Sequence, residues 1–402
     1  MDSKIPNIRF KGFTDAWEQR RLGEVTIYQN GKGYEDSQSS SGKFELINLN
    51  SISIDGGLKS SGKYIESADK TLLTDDLVMV LSDVGKGDLL GRVAIIPKDN
   101  YYVLNQRVAL IRPKNKQQTN YLFSYINSHQ RYFKLHGAGM SQLNISKGSV
   151  ENFPLLLPSL PEQQQIGTFF AHLDTLISLH QRKCDQTKEL KKTMLQKMFP
   201  KKGERIPEIR FPEFTDEWEE KKLGEMLTER NVQQVPKEDA PLVSFTVENG
   251  VTPKTDRYDR EFLVRTGDKK YKYTTFDDIV YNPANLKFGA IARNKFGDAV
   301  FSPIYVTLVA DKEKVLPIFI ERIVTNGNFI QESLRYQEGT VYERMSVKVP
   351  DFLSMKISIP SLPEQEAIGT YFQTLDQDIA QIEKKLADLK ELKKALLRQL
   401  FV

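Results

Sequence analysis

The fold is decided by a stretch that occurs twice, Pro158-Ser159-Leu160-Pro161-Glu162-Gln163, which returns unchanged at 360–365. A second block, Ile5-Pro6-Asn7-Ile8-Arg9-Phe10, returns at 206–211 with only its third residue changed. Repetition at a fixed spacing is the sequence signature of a duplicated architecture. We therefore interpret the 402-residue chain as a tandem duplication with a period near 201 residues.

The repetition is confined to particular blocks. The two tryptophans, Trp17 and Trp218, lie at equivalent points, whereas residues 25–157 and 226–359 share a rhythm but few identities. Two similar frames thus carry two different inserts, called here the first insert and the second insert. One interpretation is an old duplication whose loops drifted, since loops vary most. The interpretation we favour gives the frames one shared role and the inserts two separate reading roles.

A long helix is predicted after each Pro-Ser-Leu-Pro-Glu-Gln block. Proline suits the first turn of a helix, and the glutamate after it suits the positive end of the helix dipole. Apolar residues then recur seven apart, which is the pattern of a coiled coil. A helix of about 38 residues is about 57 Å long, and its narrow seam needs a partner, most economically the other helix. The heptads alone leave the relative direction of the two helices open.

The seam of the first helix is the weaker one, and His180 and Cys184 are interpreted as seam fillers rather than ligands. The predicted seam residues are Ile166, Phe170, Leu173, Ile177, Ile368, Phe372, Leu375, Ile379, Ile382, Leu386, Leu389 and Leu396.

Both inserts are predicted to be mixed α+β. Runs rich in β-branched and aromatic residues are separated by loops rich in Gly, Asn and Ser. The predicted strands are 77–81, 92–96, 101–104 and 108–111 in the first insert, and 279–281, 290–293, 299–301 and 305–309 in the second. The predicted short helices are 120–128 and 317–326.

The insert loops carry the residue types that read base edges in DNA. Arginine and lysine suit guanine, and asparagine and glutamine suit adenine. The candidates form a hypothesis as a set, because any one of them can be an ordinary surface residue. They are Lys32, Tyr34, Ser82, Lys86, Arg92, Asn105, Gln106, Arg107, Ser141 and Gln142 in the first insert, and Asn282, Asn285, Lys287, Arg293, Tyr305, Arg335, Gln337 and Thr340 in the second.

Composition narrows the class of protein. A net charge of +4 and a pI near 8.7 permit nucleic-acid binding without requiring it. The single cysteine, Cys184, excludes an internal disulfide and a zinc site built from several cysteines. Neither a signal peptide nor an apolar run of about 18 residues is evident, so a cytoplasmic location is expected.

Three strings look catalytic but lack a required element. The P-loop-like run 57–63 is followed by Tyr64 instead of a magnesium-binding hydroxyl. The glycines around Lys86 have the wrong spacing for dinucleotide binding. Asn282-Pro283 lacks the second proline and the aromatic residue of adenine methyltransferases. The four histidines show no ligand spacing, so neither a catalytic nor a metal site is predicted.

The repeated frames, the differing inserts and the absence of a complete catalytic motif together resemble the specificity subunits of Type I restriction–modification enzymes. The resemblance covers essentially the whole chain and is carried by the block at 158 and 360, the helices after it, and the Trp-Glu…Leu-Gly-Glu segments at 17 and 218. It implies an α+β fold in which two pseudo-repeated mixed α/β target recognition domains are separated by two long helices forming an antiparallel coiled coil. The expected domains are the first recognition domain (1–157), the first spacer helix (158–203), the second recognition domain (204–359) and the second spacer helix (360–402).

By the same resemblance, each recognition domain reads one half of a bipartite site in double-stranded DNA, and the helices set the gap. Two methyltransferase (modification) subunits would methylate adenine at N6 with S-adenosylmethionine, and restriction/translocase subunits would use ATP and Mg. None of these activities is expected in this chain. Two alternatives stay open: a two-repeat scaffold that binds proteins rather than DNA, and a self-sufficient methyltransferase that uses Asn282-Pro283. The recognised sequence is not readable from the residues.

Overall fold

The computed structural model describes residues 6–84, 87–253, 269–338 and 345–401. Packing divides the chain into two units: the first is Met1–Arg182 with Glu383–Val402, and the second is Lys183–Ile382. Each unit holds one insert, its frame and segments of both long helices. The four domain boundaries expected from the sequence, which keep each helix whole, stay a prediction.

The first unit is organised around an antiparallel four-stranded sheet. Its strands are β1 (Glu18–Arg21), β2 (Thr26–Asn30), β3 (Phe44–Ile47), β4 (Tyr64–Ile65), β5 (Leu77–Val80), β6 (Ser82–Val84), β7 (Val93–Ile95), β8 (Tyr102–Leu104), β9 (Val108–Pro113), β10 (Gln142–Asn144) and β11 (Pro154–Leu157). The helices that begin here are α1 (Leu22–Val25), α2 (Thr119–Ser128), α3 (Gln130–Leu135), α4 (Lys147–Glu151) and α5 (Leu160–Lys197). The central sheet has the order β2-β9-β5-β7, and a smaller sheet has the order β4-β3-β8. Strand β5 is buried along its whole length, as its unbroken apolar sequence requires.

The second unit repeats this plan. Its strands are β12 (Glu219–Lys222), β13 (Leu227–Glu229), β14 (Gln233–Gln234), β15 (Val243–Thr246), β16 (Gly250–Pro253), β17 (Tyr271–Thr274), β18 (Ile279–Tyr281), β19 (Ile291–Arg293), β20 (Ala299–Phe301), β21 (Val306–Ala310), β22 (Gln337–Glu338), β23 (Ser346–Val347) and β24 (Lys356–Ile359). Its helices are α6 (Pro317–Val324), α7 (Gly327–Ser333), α8 (Val349–Ser354) and α9 (Leu362–Leu400). The central sheet β13-β21-β18-β19 matches that of the first unit strand for strand, and β14-β17-β20 forms the smaller sheet.

The predicted short elements are confirmed, with small shifts at their ends. The helix expected at 120–128 is α2, and the strand expected at 279–281 is β18. The helix expected at 317–326 ends at Val324, because Asn326 caps the next helix by accepting a hydrogen bond from the backbone N–H of Asn328 at 2.9 Å.

Each frame closes on itself. Strand β1 pairs antiparallel with β11, and β12 pairs antiparallel with β24. The first and last strands of each repeat therefore lie side by side, and the insert is the segment between them.

The two long helices run antiparallel where they meet within each unit. In the first unit Lys393 of α9 binds Asp174 of α5, and the ammonium of Lys390 lies 3.4 Å from the side-chain oxygen of Gln181. Residue numbers along α9 therefore decrease as those along α5 increase. In the second unit Lys191 of α5 binds Asp376 of α9 at 2.5 Å. The predicted antiparallel pairing is thus confirmed.

Most of the predicted seam is buried, but part of it packs elsewhere than predicted. Ile166, Phe170, Leu173, Ile368, Phe372, Leu375, Ile382 and Leu386 are buried, whereas Ile177, Ile379, Leu389 and Leu396 are partly exposed. Phe170 joins the core of the first unit, where its ring lies 5.6 Å from that of Phe401. Ile368 and Phe372 of α9 join the core of the second unit in the same way, so the first turns of both long helices pack on a domain core. In the described parts of the chain, no helix combines the length and the apolarity that a membrane crossing needs.

Candidate functional site

The repeated blocks form one buried contact in each unit. Arg9 donates two hydrogen bonds to the carboxylate of Glu162, at 2.7 and 2.8 Å, and Arg210 donates two to Glu364, both at 2.7 Å. Both glutamates are fully enclosed, and the hydrogen bond to Glu364 raises the pKa of Arg210. The repeated arginine lies before the insert and the repeated glutamate after it. The most repeated residues of the chain are therefore structural.

The glutamine that follows each glutamate completes the frame. Gln163 donates to the backbone carbonyl of Pro158 at 2.8 Å, and Gln365 donates to that of Pro360 at 2.9 Å. The indole N–H of Trp218 also donates to Glu364, at 3.3 Å. Trp17 is equally buried, but its N–H has no partner among the described residues.

The two ion pairs between the long helices differ in their electrostatics. Burial raises the pKa of Asp174, the nearby Asp55 carboxylate adds to this, and Lys393 offsets only part of it. Burial also acts to raise the pKa of Asp376, but its hydrogen bond to Lys191 and the charge of Arg322, 2.8 Å away, together leave that pKa below its usual value. Equivalent carboxylates in the two repeats thus have opposite shifts.

Several first-insert candidates meet at the turn between β8 and β9. Asn105, Gln106 and Arg107 line a cleft of about 270 Å³ together with residues 48–50. Lys32 pairs with Asn105 through an isolated backbone bridge, and its ammonium contacts Asp69 at 2.7 Å. Tyr34 lies beneath the same ammonium, 5.2 Å from ring centre to nitrogen.

The remaining first-insert candidates lie elsewhere. Gln142 donates to the hydroxyl of Ser82 across the β6–β10 pair, and Ser141 is exposed beside them. Arg92 donates to the backbone carbonyl of Asn127 at 2.9 Å, and burial lowers its pKa. Lys86 lies outside the described residues.

In the second insert, two candidates have internal structural roles. Asn282 is buried, and its side-chain oxygen accepts hydrogen bonds from the backbone N–H groups of Ala284 and Asn285, at 3.1 and 3.3 Å. Arg293 is held by Glu321 at 2.9 Å and by Asp277 at 2.8 Å. As DNA contacts these residues stay predictions, but their polar groups already have partners within the unit.

The other second-insert candidates are more accessible. Lys287 is exposed over the ring of Phe288, and Arg335 is exposed. Tyr305 is half-buried against Phe245 and Phe301, with ring centres 5.3 and 5.2 Å apart. The buried side-chain nitrogen of Gln337 has no hydrogen-bond partner among the described residues. Thr340 lies outside them.

The P-loop-like run is a surface turn in the structure. Tyr64 begins strand β4 rather than a helix, and the Ser60 hydroxyl and Ser61 N–H donate to Glu45 at 2.6 and 2.8 Å. A carboxylate therefore occupies the position that phosphates would need. No cluster of three metal-ligating acids, histidines or cysteines occurs within the described ranges.

Three further residues were not among the candidates chosen from the sequence. Asn48 and Asn50 line the first-unit cleft, and Ile304 is an exposed isoleucine in the turn between β20 and β21. A polar run directly after the apolar strand β3 was the available signal for the asparagines. Ile304 gave no signal, because polar residue types were sought.

Comparison with known proteins places the fold. A family model described as the Type I restriction modification DNA specificity domain matches residues 14–189. The putative type I restriction enzyme MjaX specificity subunit of Methanocaldococcus jannaschii is 24% identical over 92% of this chain and 89% of that protein. The MjaVIII specificity subunit of the same organism is 22% identical over 96% of this chain and 92% of that protein. The crystal structure of the S subunit of a Type-I restriction-modification system from M. genitalium matches with a TM-score of 0.66 at 15% identity, over 99% of both chains.

Proposed function

We propose that the two inserts each read one half of a bipartite site in double-stranded DNA, because the chain is similar to Type I restriction–modification specificity subunits in sequence and in fold. The observation that carries the proposal is the contrast between frame and insert. The Arg9–Glu162 contact recurs as Arg210–Glu364 with nearly the same distances, whereas the exposed insert turns differ in residue type. A shared support that holds two different surfaces suits the reading of two different half-sites.

The long helices would set the gap between the half-sites. Half-sites one turn apart on a duplex are about 34 Å apart, and a helix of 38 residues is about 57 Å long. The helices would also dock two methyltransferase subunits, which methylate adenine at N6. In this proposal the chain contributes no catalytic residue and serves as the DNA-reading part of the complex.

The partners would supply the chemistry. S-adenosylmethionine would bind to the methyltransferase subunits, and ATP and Mg to restriction/translocase subunits where these are present. Methylation of a base requires that it leave the helix stack, and a complex that encloses the DNA can stabilise the flipped state. The role of this chain is to decide which adenines come within reach.

The test is a map of methylated adenines in DNA from cells that express the chain with its modification subunit. The expected result is a split motif with a fixed gap. Absence of methylation from a complex shown to be assembled would favour the protein-binding scaffold instead. In that case random duplex would not compete for binding, and added salt would not weaken it as it weakens a DNA complex.

A further inference from the structure

One turn occupies the same place in both units and presents different chemistry. In the first unit residues 105–107 connect β8 to β9, and in the second unit residues 302–305 connect β20 to β21. The strands that follow pair equivalently, with Leu77 opposite Ile111 and Ile279 opposite Leu308. The two turns are therefore structural equivalents.

The first-unit turn holds an arginine in a strained conformation. Arg107 has a φ of 64°, in the left-handed region that side chains other than glycine rarely adopt. Its backbone carbonyl accepts a hydrogen bond from Leu81 N–H at 2.9 Å, and the Asn105 side chain accepts one from Gln106 N–H at 2.8 Å. Such strain persists where the surroundings enforce it, and it concentrates at functional positions.

The side chain of Arg107 faces a polar cleft and is exposed. No side chain within the described ranges pairs with its guanidinium. The Asn48 side chain caps the adjacent turn by accepting from Asn50 N–H at 2.9 Å, which leaves the exposed Asn50 amide beside the same cleft. The cleft thus holds the guanidinium of Arg107 next to the side-chain amide of Asn50, and both groups can hydrogen-bond to base edges.

The second-unit turn presents an apolar tip. Ile304 is 59% exposed and follows Pro303, which stiffens the turn. The next residue, Tyr305, anchors the turn by packing against Phe301 and Phe245. The isoleucine side chain is therefore held outward on a rigid support.

We propose that this turn is a base-reading element in both units. Arg107 donates to O6 and N7 of a guanine in one half-site, and Ile304 contacts the C5 methyl group of a thymine in the other. The inference rests on the proposed function and adds to it the position and the base class that each insert reads.

The test uses the full chain in complex with its modification subunit and a library of duplexes with randomised half-sites. Arg107→Asn removes the guanidinium, and asparagine tolerates a positive φ, so the turn should keep its conformation. We expect preference for guanine to fall by about tenfold or more at one position of one half-site. Ile304→Ala should reduce preference for thymine by about fourfold at one position of the other half-site. Arg20→Asn on the exposed frame strand β1 and Ile206→Ala, at a frame residue 51% exposed, are matched controls that should leave the motif unchanged.

The outcomes separate this inference from the proposed function. If the wild-type complex yields a split motif and both variants yield the same motif, the inference is wrong and the proposed function stands. A uniform loss of methylation on all sequences with Arg107→Asn would indicate a phosphate contact and overturn base reading. Loss of preference for a base other than guanine with Arg107→Asn, or other than thymine with Ile304→Ala, or both losses in one half-site, would also overturn it. Thermal unfolding and co-purification of each variant with the modification subunit confirm that the complex is intact.

Discussion

Substitution of Glu364 by glutamine should destabilise the second unit strongly. Its carboxylate is 1% exposed and accepts two hydrogen bonds from Arg210 at 2.7 Å and one from Trp218 at 3.3 Å. Glutamine has the same shape but offers one oxygen, and its NH₂ group would face an N–H of Arg210. The arginine would keep its charge in a nearly enclosed site without its hydrogen-bonded counter-charge.

The magnitude follows from the burial of the pair. Removal of one partner from a buried ion pair costs about 3–5 kcal/mol. Glutamine keeps one acceptor, so a cost of about 3 kcal/mol is expected. For a unit of this size, 1 kcal/mol lowers the melting temperature by about 2–4 °C. The transition of Lys183–Ile382 should therefore fall by about 6–12 °C.

Differential scanning calorimetry of the full chain measures this shift. The matched control is Glu220→Gln, which breaks an exposed ion pair with Lys356 and should leave the melting temperature nearly unchanged. Replacing both Arg210 and Glu364 with apolar residues, methionine and leucine, should recover part of the loss, because no buried charge is then left unpaired. A shift below about 2 °C for Glu364→Gln, or one equal to that of the control, would refute the reasoning.

The remaining predictions concern the helices and the inserts. Deleting one heptad from each long helix, 182–188 of α5 and 379–385 of α9, should change the methylated gap and keep both half-site sequences. An unchanged gap would contradict the spacer role. Replacing residues 25–157 by the insert of another family member should change one half-site only in the methylation map. Asp376→Asn should lower the melting temperature at pH 7 more than Asp174→Asn does. Because the pKa of Asp376 is lowered in the folded protein, its ionised form stabilises the fold at a pH above the usual value of 3.8, and this contribution is lost as the pH falls through the lowered pKa. The pKa of Asp174 is raised, so its ionised form destabilises the fold and low pH relieves that cost. Melting curves between about pH 3 and pH 7 check this, and equal losses at pH 7 would contradict it.

The frames and the long helices were predictable because both depend on local sequence. Repetition needs no energetics to detect, and a seven-residue apolar period predicts a helix of the length found in α5 and α9. The heptad pattern could not predict whether the helices run parallel or antiparallel, because that depends on contacts between residues about 200 apart in sequence, such as Asp174 and Lys393. Packing of Phe170 on Phe401 depends on the tertiary fold in the same way.

The candidate residues could be chosen from the sequence by residue type, but their surroundings in the fold could not be predicted. Arg92, Arg107 and Arg293 look alike in sequence, yet Arg293 is held by two carboxylates while Arg107 projects from a strained turn. Which arginine has an internal partner depends on carboxylates distant in the chain, such as Glu321. An exposed isoleucine such as Ile304 carries no sequence signal at all, since single exposed apolar residues are common.

The frame packs on the inserts, since Trp17 contacts Tyr121 and Trp218 contacts Phe319 with ring centres 6.2 and 5.8 Å apart, but its buried ion pair does not include insert residues. Asp76 and Asp278 occupy equivalent places, but Asp76 is bound by Arg112 of β9, whereas Asp278 is bound by Arg230, which follows β13 on the neighbouring strand. The same buried carboxylate has thus kept its charge partner while the strand that supplies it differs. By contrast, the frame ion pair joins residues outside the insert, so it forms whenever the two ends of an insert meet. Under the proposed function, a new reading surface would need adjacent ends and a fold that packs on the frame tryptophan, which would let one half-site change while the other is kept.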